Sequence, residues 1–371
     1  MHREKVLTMS NDRPVKYVLV GYGWRAPFFL QPAQQFKDKF QVTGVVARSA
    51  ERGAEVTERW GVPTWRTLEE AVAADRPDFI ISSVSWDASP LFTRKAVELG
   101  IPILSETPPA PDLATLTALW DDVGATGLVQ VAEQYPFYPG HQARRAVIDS
   151  GAIGEVNEVE VSSTHMYHAM AVIRQMLNVG HESARITAVA STHPLADPLG
   201  VPGWSDDMTP KPAKTTRAIL EFESGKVGTY DFTDNQWWNP LRQDRIAIRG
   251  SLGEIADLRV TSLTAPRSIV TRTLERRQTG HELNLEGNDL DHISVGDSIV
   301  YENRWTPGRL ADDEIAVTEL LSRMGAWVRD GGAAPYSLAD GCQDWALALG
   351  VEDAAATGKQ VTVDALPWVG K

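Results

Sequence analysis

The stretch YVLVGYGWRAPFF, residues 17–29, constrains the fold of this chain more than any other. An apolar run, the pattern Gly21-x-Gly23-x-x-Ala26 and a helix-compatible segment follow one another without a gap. A first glycine permits the tight turn from strand to helix, a second lets a pyrophosphate approach the backbone, and a small third residue lets helix and strand pack closely. A merely tight turn satisfies the same letters, so context decides. Apolar runs at 17–20, 42–46, 79–81, 101–104 and 128–131 alternate with helical patterns at 27–36, 50–60, 90–99 and 113–123. Each crossover between parallel strands needs such a helix, and the rhythm predicts a doubly wound α/β domain over 14–133.

After Pro136 the rhythm changes. A helix at 141–148 ends at Gly151, a long strand covers 156–162, and strands are expected at 215–223, 226–233 and 242–249. Turn residues such as Ser224-Gly225 between them predict a large, mostly antiparallel open sheet. Helical patterns at 313–328 and 338–356 close a second α/β domain, expected over 134–371. A length of 371 residues suits two domains at about 150 residues each.

Composition narrows the partners. A net charge of -13 opposes phosphate neutralisation, which disfavours nucleic acid and anionic membrane surfaces. The one cysteine, Cys342, forms no intrachain disulfide and no cysteine metal cluster, which fits a reducing, cytoplasmic compartment. The first residues, with Met9 as an alternative start, lack the apolar core of a signal peptide, and no 18-residue apolar run occurs. His165-x-x-His168, His181-Glu182 and His281-Glu282 resemble fragments of metal motifs, but Arg185 and Leu285 occupy the closing positions of His-Glu-x-x-His, so no metal is expected.

At the end of the second strand an acidic residue would accept hydrogen bonds from the ribose of NAD. Ala47 stands there instead, followed by Arg48 and Ser49. A guanidinium beside a hydroxyl suits a 2′-phosphate, so NADP(H) is the preferred cofactor, with NAD(H) possible.

The glycine loop, SETPPAPD, AEQYPFYPG, IDSGAIGEV and YSLADGCQDWALALGVEDAAATGKQVTV together resemble the glucose-fructose oxidoreductase/inositol dehydrogenase (Gfo/Idh/MocA) family across nearly the whole chain. The resemblance implies an N-terminal Rossmann domain and a C-terminal domain whose open sheet makes homodimers or homotetramers. It further implies NAD(P)-dependent hydride transfer on a sugar or cyclitol. The expected cofactor-binding set is Gly21, Tyr22, Gly23, Trp24, Arg25, Ala26, Ala47, Arg48, Ser49, Ser83, Glu106, Thr107 and Pro108, with a cis Thr107–Pro108 bond.

Two family positions depart. The usual Glu-Lys-Pro reads Glu106-Thr107-Pro108, without the lysine, and the usual Asp-x-x-x-His reads Thr164 to His168. Removing a hydroxyl proton during hydride transfer needs a base, and a neutral histidine accepts a proton near pH 7. His168 is therefore the expected general acid/base, with Thr107 orienting and Tyr167 alongside. His165, Arg174, Tyr135 and Trp238 are expected at the substrate, with hinge packing an equal alternative for Tyr135 and sheet or interface packing the alternative for the tryptophan. Trp237 and Trp238 are consecutive, so in a strand only one of them faces a ligand. The long segment 193–213 suits a cover over the substrate, an oligomer contact or a pinned surface loop, and Asp312, Asp313 and Glu314 read as acids favouring a helix dipole. A cofactor-retaining glycosidase and a non-catalytic nucleotide-binding sensor remain as alternative functions, the second supported by the missing lysine and aspartate.

Overall fold

The computed structural model describes residues 13–200, 202–280, 287, 289–364 and 366–370. The segment containing Met9 and the stretch with His281, Glu282 and Leu285 lie outside the described residues. In chain order the first elements are β1 (Val15–Val20), α1 (Ala26–Gln35), β2 (Phe40–Val46), α2 (Ala50–Trp60), β3 (Thr64–Trp65), α3 (Leu68–Ala74), β4 (Phe79–Ser82), α4 (Ser89–Glu98), β5 (Ile103–Ser105), α5 (Leu113–Val123) and β6 (Val129–Val131). There follow α6 (Pro139–Asp149), β7 (Val156–Ser162), α7 (Met166–Leu177), β8 (Ala184–Leu195), β9 (Leu199–Gly200), β10 (Gly203–Trp204), β11 (Lys211–Phe222), β12 (Val227–Thr233) and β13 (Arg245–Gly250). The chain continues through β14 (Gly253–Ala256), β15 (Arg259–Ala265), β16 (Ser268–Gln278), β17 (Leu290–Val295), β18 (Ser298–Glu302), α8 (Asp312–Asp330), α9 (Leu338–Thr357) and β19 (Val361–Val363).

Two compact units share these elements: residues up to Phe137 with Trp305–Cys342, and Tyr138–Arg304 with Gln343 onward. This differs from a contiguous division at 133/134, because α8 returns to the first unit. Gly325 explains the close approach: a Cβ there would stand 2.6 Å from Val15 of β1. Arg329 secures the other end of α8, its Nη2 lying 2.6 Å from Asp78 Oδ2.

In the first unit all six strands are parallel in the order β3-β2-β1-β4-β5-β6. That order reverses direction between β1 and β4, which opens a crevice at their carboxyl ends. Sheets of this kind are covered on both faces, and β1 is accordingly buried at Val15, Tyr17, Val18, Leu19 and Val20. Local signals set the helix limits: Ser49 Oγ accepts from Arg52 N at the start of α2, Gly61 ends that helix at φ 65, and Asp112 caps α5.

The second unit holds an eleven-stranded sheet in the order β18-β17-β16-β15-β14-β13-β7-β12-β11-β8-β19, in which only the β7–β12 pair is parallel. Helix α7 lies on one face. Gly228 of β12 gives it room, since a Cβ at that position would meet Ile173 at 2.6 Å. Alternation along β11 turns Ala218, Leu220 and Phe222 inward and leaves Ile219 exposed. The exposed side carries cross-strand ion pairs, among them Arg245 with Asp231 at 2.8 Å and Arg185 with Glu221 at 3.3 Å. The segment 193–213 is not a plain loop: β8 runs to Leu195, β11 begins at Lys211, and the small β9–β10 hairpin fills part of the interval. No helix of the described residues is long and apolar enough to cross a membrane.

Candidate cofactor and substrate sites

In the first unit, Gly21 turns the chain out of β1 at φ 94, and any Cβ there would collide with the Ser83 carbonyl oxygen at 2.2 Å. Only glycine closes the loop against Ser83, whose N–H is itself held by Val20 O at 2.8 Å. Gly23 is the opposite case: a Cβ would meet no atom within 4 Å, so that side of the backbone is open to an approaching group. Ala26 is fully buried where α1 begins. Closed beneath and open above, the loop fits a pyrophosphate cradle.

The other loop residues differ in what they offer. Trp24 is 81% exposed, whereas the Tyr22 hydroxyl accepts a hydrogen bond from Trp60 Nε1 at 3.0 Å. Arg25 does not reach out as a free cation. Its Nε donates to Glu106 Oε1 at 3.0 Å, its Nη1 donates to Asp313 Oδ2 at 2.5 Å, and its guanidinium lies over the Phe28 ring. Asp313 is thus an ion-pair partner in addition to a first-turn acid favouring the dipole of α8.

At the carboxyl end of β2, Ala47 is buried, Arg48 is exposed and the Ser49 hydroxyl caps α2. Sequence spacing did not single out Arg66, which comes from beyond β3. Its Nη1 donates to Ala47 O at 2.6 Å and its Nη2 to Arg48 O, which brings a second guanidinium to the same strand end.

After β5, the Thr107–Pro108 bond is cis. Glu106 Oε2 accepts from Thr107 N at 2.9 Å and from the Thr107 hydroxyl at 3.3 Å, so the residue at the lysine position is held on its neighbour's carboxylate. Beyond β6 stands Glu133, which lies in the AEQYPFYPG segment but is not among the expected site residues. It is 1% exposed, it accepts from Tyr135 N at 3.0 Å, and burial pushes its carboxyl up to about 8, with Arg25 opposing the shift and Asp313 adding to it. Gln134 Nε2 donates to Asp313 Oδ1 at 3.1 Å, while its Oε1 is buried without a hydrogen-bond partner. Tyr135 begins a short 3-10 turn next to this cluster.

The second unit brings together rings. His165 precedes α7, and His168 and Tyr167 lie in its first turn. The Tyr167 and His168 ring centres are 4.4 Å apart, and those of His165 and His168 are 5.2 Å apart. Burial, with His168 adding, holds the His165 imidazole down to about 3, so it is neutral at pH 7. The tryptophan that meets this cluster is Trp237, perpendicular to His165 at 4.7 Å and stacked obliquely on Phe232 at 4.7 Å. Trp237 and Trp238 lie in a turn after β12 and not in a strand, because Asn235 adopts φ 59 and binds Asp197 at 2.6 Å. Opposite-face reasoning therefore fails at this pair, and both indoles are 44% exposed.

Arg174 also departs from expectation. It is 3% exposed, its Nη1 lies 2.5 Å from Asp344 Oδ1 and its Nε donates to Gly180 O at 2.8 Å, so it is ion-paired inside the unit. Among the described residues no group of three His, Cys, Asp or Glu side chains is placed to hold a metal ion.

Residues 15–133 match the family model described as "Oxidoreductase family, NAD-binding Rossmann fold". A protein of Bacillus subtilis (strain 168) named "Putative oxidoreductase YteT" is 20% identical over 327 residues, covering 85% of this chain and 69% of its own. An oxidoreductase from Agrobacterium radiobacter, solved with NAD+, L-tartaric acid and magnesium, superposes with a TM-score of 0.68 at 17% identity, covering 94% of this chain and 98% of that one. Levoglucosan dehydrogenase in complex with NADH and levoglucosan gives 0.69 at 16% identity, over 95% and 100%. These structures share the fold, and the family model describes residues 15–133, which contain the glycine loop, as an NAD-binding domain. Residues 15–133 thus match the NAD-binding Rossmann domain of the Gfo/Idh/MocA oxidoreductases, and the whole chain shares their fold.

Proposed function

We propose that this oxidoreductase transfers a hydride between NADP(H) and a hydroxyl- or carbonyl-bearing carbon of a sugar, cyclitol or related polyol, with His168 as general acid and base. The nucleotide cradle at Gly21 and Gly23 carries the reading. When bound, the nicotinamide supplies the hydride acceptor or donor. His168 takes the hydroxyl proton during oxidation and returns it during reduction, so proton and hydride leave by separate routes. Tyr167 and neutral His165 pack on His168 and restrict its ring. Thr107 orients, held by Glu106. At the substrate, His165 offers a neutral hydrogen-bonding ring, Tyr135 a phenol, and Trp237, in preference to Trp238, an apolar plate for ring C–H groups.

Preference for NADP is supported by the absence of a carboxylate at Ala47 and by Arg48, Ser49 and Arg66 around that strand end. A sugar-like substrate is supported by the levoglucosan held by a structure of the same fold. The exposed face of the large sheet is the proposed homo-oligomer contact, and the buried thiol of Cys342 suits the cytoplasm.

A panel of sugars and polyols followed at the nicotinamide absorbance tests the reading. Turnover with NADP at a lower KM than with NAD, abolished in His168→Ala, is the expected result. Turnover unchanged in His168→Ala overturns the assignment of the base. Tight nucleotide binding with no turnover of any member supports the sensor reading instead.

A further inference from the structure

The glycine loop carries one charged side chain, Arg25, and it is buried against two carboxylates instead of facing solvent. It takes the helix-cap position of α1, with αR backbone angles and no side-chain hydrogen bond to the helix. Its guanidinium is 11% exposed and is gripped from two directions, by Glu106 after β5 and by Asp313 in the first turn of α8, 288 positions along the chain. Both carboxylates are held in turn. Glu106 uses its second oxygen on Thr107, and Asp313 uses its second oxygen on Gln134. Phe28 lies under the guanidinium at 4.5 Å, which fills the remaining direction with carbon.

This arrangement separates two roles that a loop arginine can play. A cation free to meet a pyrophosphate would contribute attraction that salt screens. Arg25 is already neutralised by two carboxylates, with a third, Glu133, close enough to influence it, so its charge adds little to the field above the loop. What it does is fix the backbone: residues 22–25 have no sheet ladder to hold them, and the two separate charge-assisted hydrogen bonds of Arg25, to Glu106 and to Asp313, tie the loop to the segment after β5 and to α8.

We propose that Arg25 is a positioning residue for the nucleotide loop, and that Asp313 of α8 sets cofactor affinity through it. The inference rests on the nucleotide-binding reading of the loop. It makes α8, which lies beyond the matched segment 15–133, part of the nucleotide-binding device.

The test uses the full chain with two readouts: the dissociation constants of NADH and NADPH by fluorescence, and hydrogen exchange of the amides of residues 21–26 without nucleotide. Asp313→Asn keeps the side-chain shape while removing the charge. It is expected to weaken both nucleotides about tenfold, by an equal factor at low and high salt, and to speed exchange in the loop with the β1 amides unchanged. Arg25→Lys, which offers a point charge where a fork is needed, is expected to give the same pattern. Adding Arg25→Met to Asp313→Asn should weaken binding little beyond either change alone. If Asp313→Asn does not fold, Asp313→Glu supplies the same readouts with the charge retained and displaced by one methylene. Affinities within twofold of the parent and unchanged loop exchange overturn the proposal. A parent protein that binds neither nucleotide overturns the nucleotide-binding reading, and the exchange measurement still decides whether the grip holds the loop.

Discussion

Arg25 and Arg174 each place a guanidinium nitrogen 2.5 Å from an aspartate, yet the two pairs sit in different surroundings. The side chains of Arg25 and Asp313 are 11% and 22% exposed, and those of Arg174 and Asp344 are 2% and 2% exposed. Arg25 belongs to a loop whose backbone has few other restraints. Arg174 belongs to α7, whose backbone is held by its own helix and by the sheet beneath it. Losing the first pair therefore frees a loop, whereas losing the second strands a charge in the core. The difference teaches that an ion pair's consequence follows from what else restrains its residues, not from its length.

The largest expected effect breaks the buried pair. Arg174→Met removes the cation paired with buried Asp344 and is expected to cost about 3–5 kcal/mol in urea unfolding, with nucleotide affinity of the folded fraction unchanged. Combining it with Asp344→Leu should recover most of that loss, since neither charge then remains buried. Failure of the double variant to recover would mean that the Arg174 contact with Gly180 O, and not the buried charge, dominates.

The next effect concerns the proton held near Arg25. The Glu133 carboxyl is raised from 4.5 to about 8, so the folded chain binds this proton more tightly than the unfolded chain does. The associated stability is fully present below pH 4.5 and is lost as pH rises toward 8. Its slope reaches at most about 1.4 kcal/mol per pH unit. Glu133→Gln should flatten unfolding free energy against pH over this window, and an unchanged slope would assign the proton to another group.

Asp313→Asn should cost only about 1 kcal/mol in unfolding, because the pair is part-exposed. Paired with its expected effect on nucleotide affinity, that small cost is what distinguishes a loop clamp from a core strut. The smallest effect is at the indoles. Trp237→Ala is expected to raise KM for a cyclic substrate roughly fivefold, or about 1 kcal/mol, while Trp238→Ala changes it less than twofold. Equal effects would remove the distinction between the two tryptophans.

Much of the first unit was legible in the sequence. The limits of α2 and α5 follow from residues within the segments themselves, Ser49 and Gly61 for one and Asp112 for the other. Two short elements were not read. β3 has two residues and no period to detect, and α3 is signalled only by its Thr67–Glu70 capping box. Candidate residues fared according to how local their partners are. The turn at Gly21, the open backbone at Gly23 and the buried Ala26 have the local geometry their spacing implied, because one turn defines them. Arg25 and Arg174 were read as ligand-facing from local motifs alone, and each meets a carboxylate far along the chain, 288 and 170 positions away. Trp237 was passed over for Trp238, because the turn that aims both is held by Asn235 on Asp197.

By itself, the sequence determined the alternation of strands and helices, the parallel pairing it requires and the tight glycine turn after the first strand, since periodicity and turn chemistry act over a few residues. Only the tertiary structure decided which cations are already spent, which tryptophan meets the histidines, and that α8 belongs with the nucleotide-binding unit. Those outcomes depend on charges and rings brought together across the chain, where desolvation and pairing act through space and leave no local spacing to read.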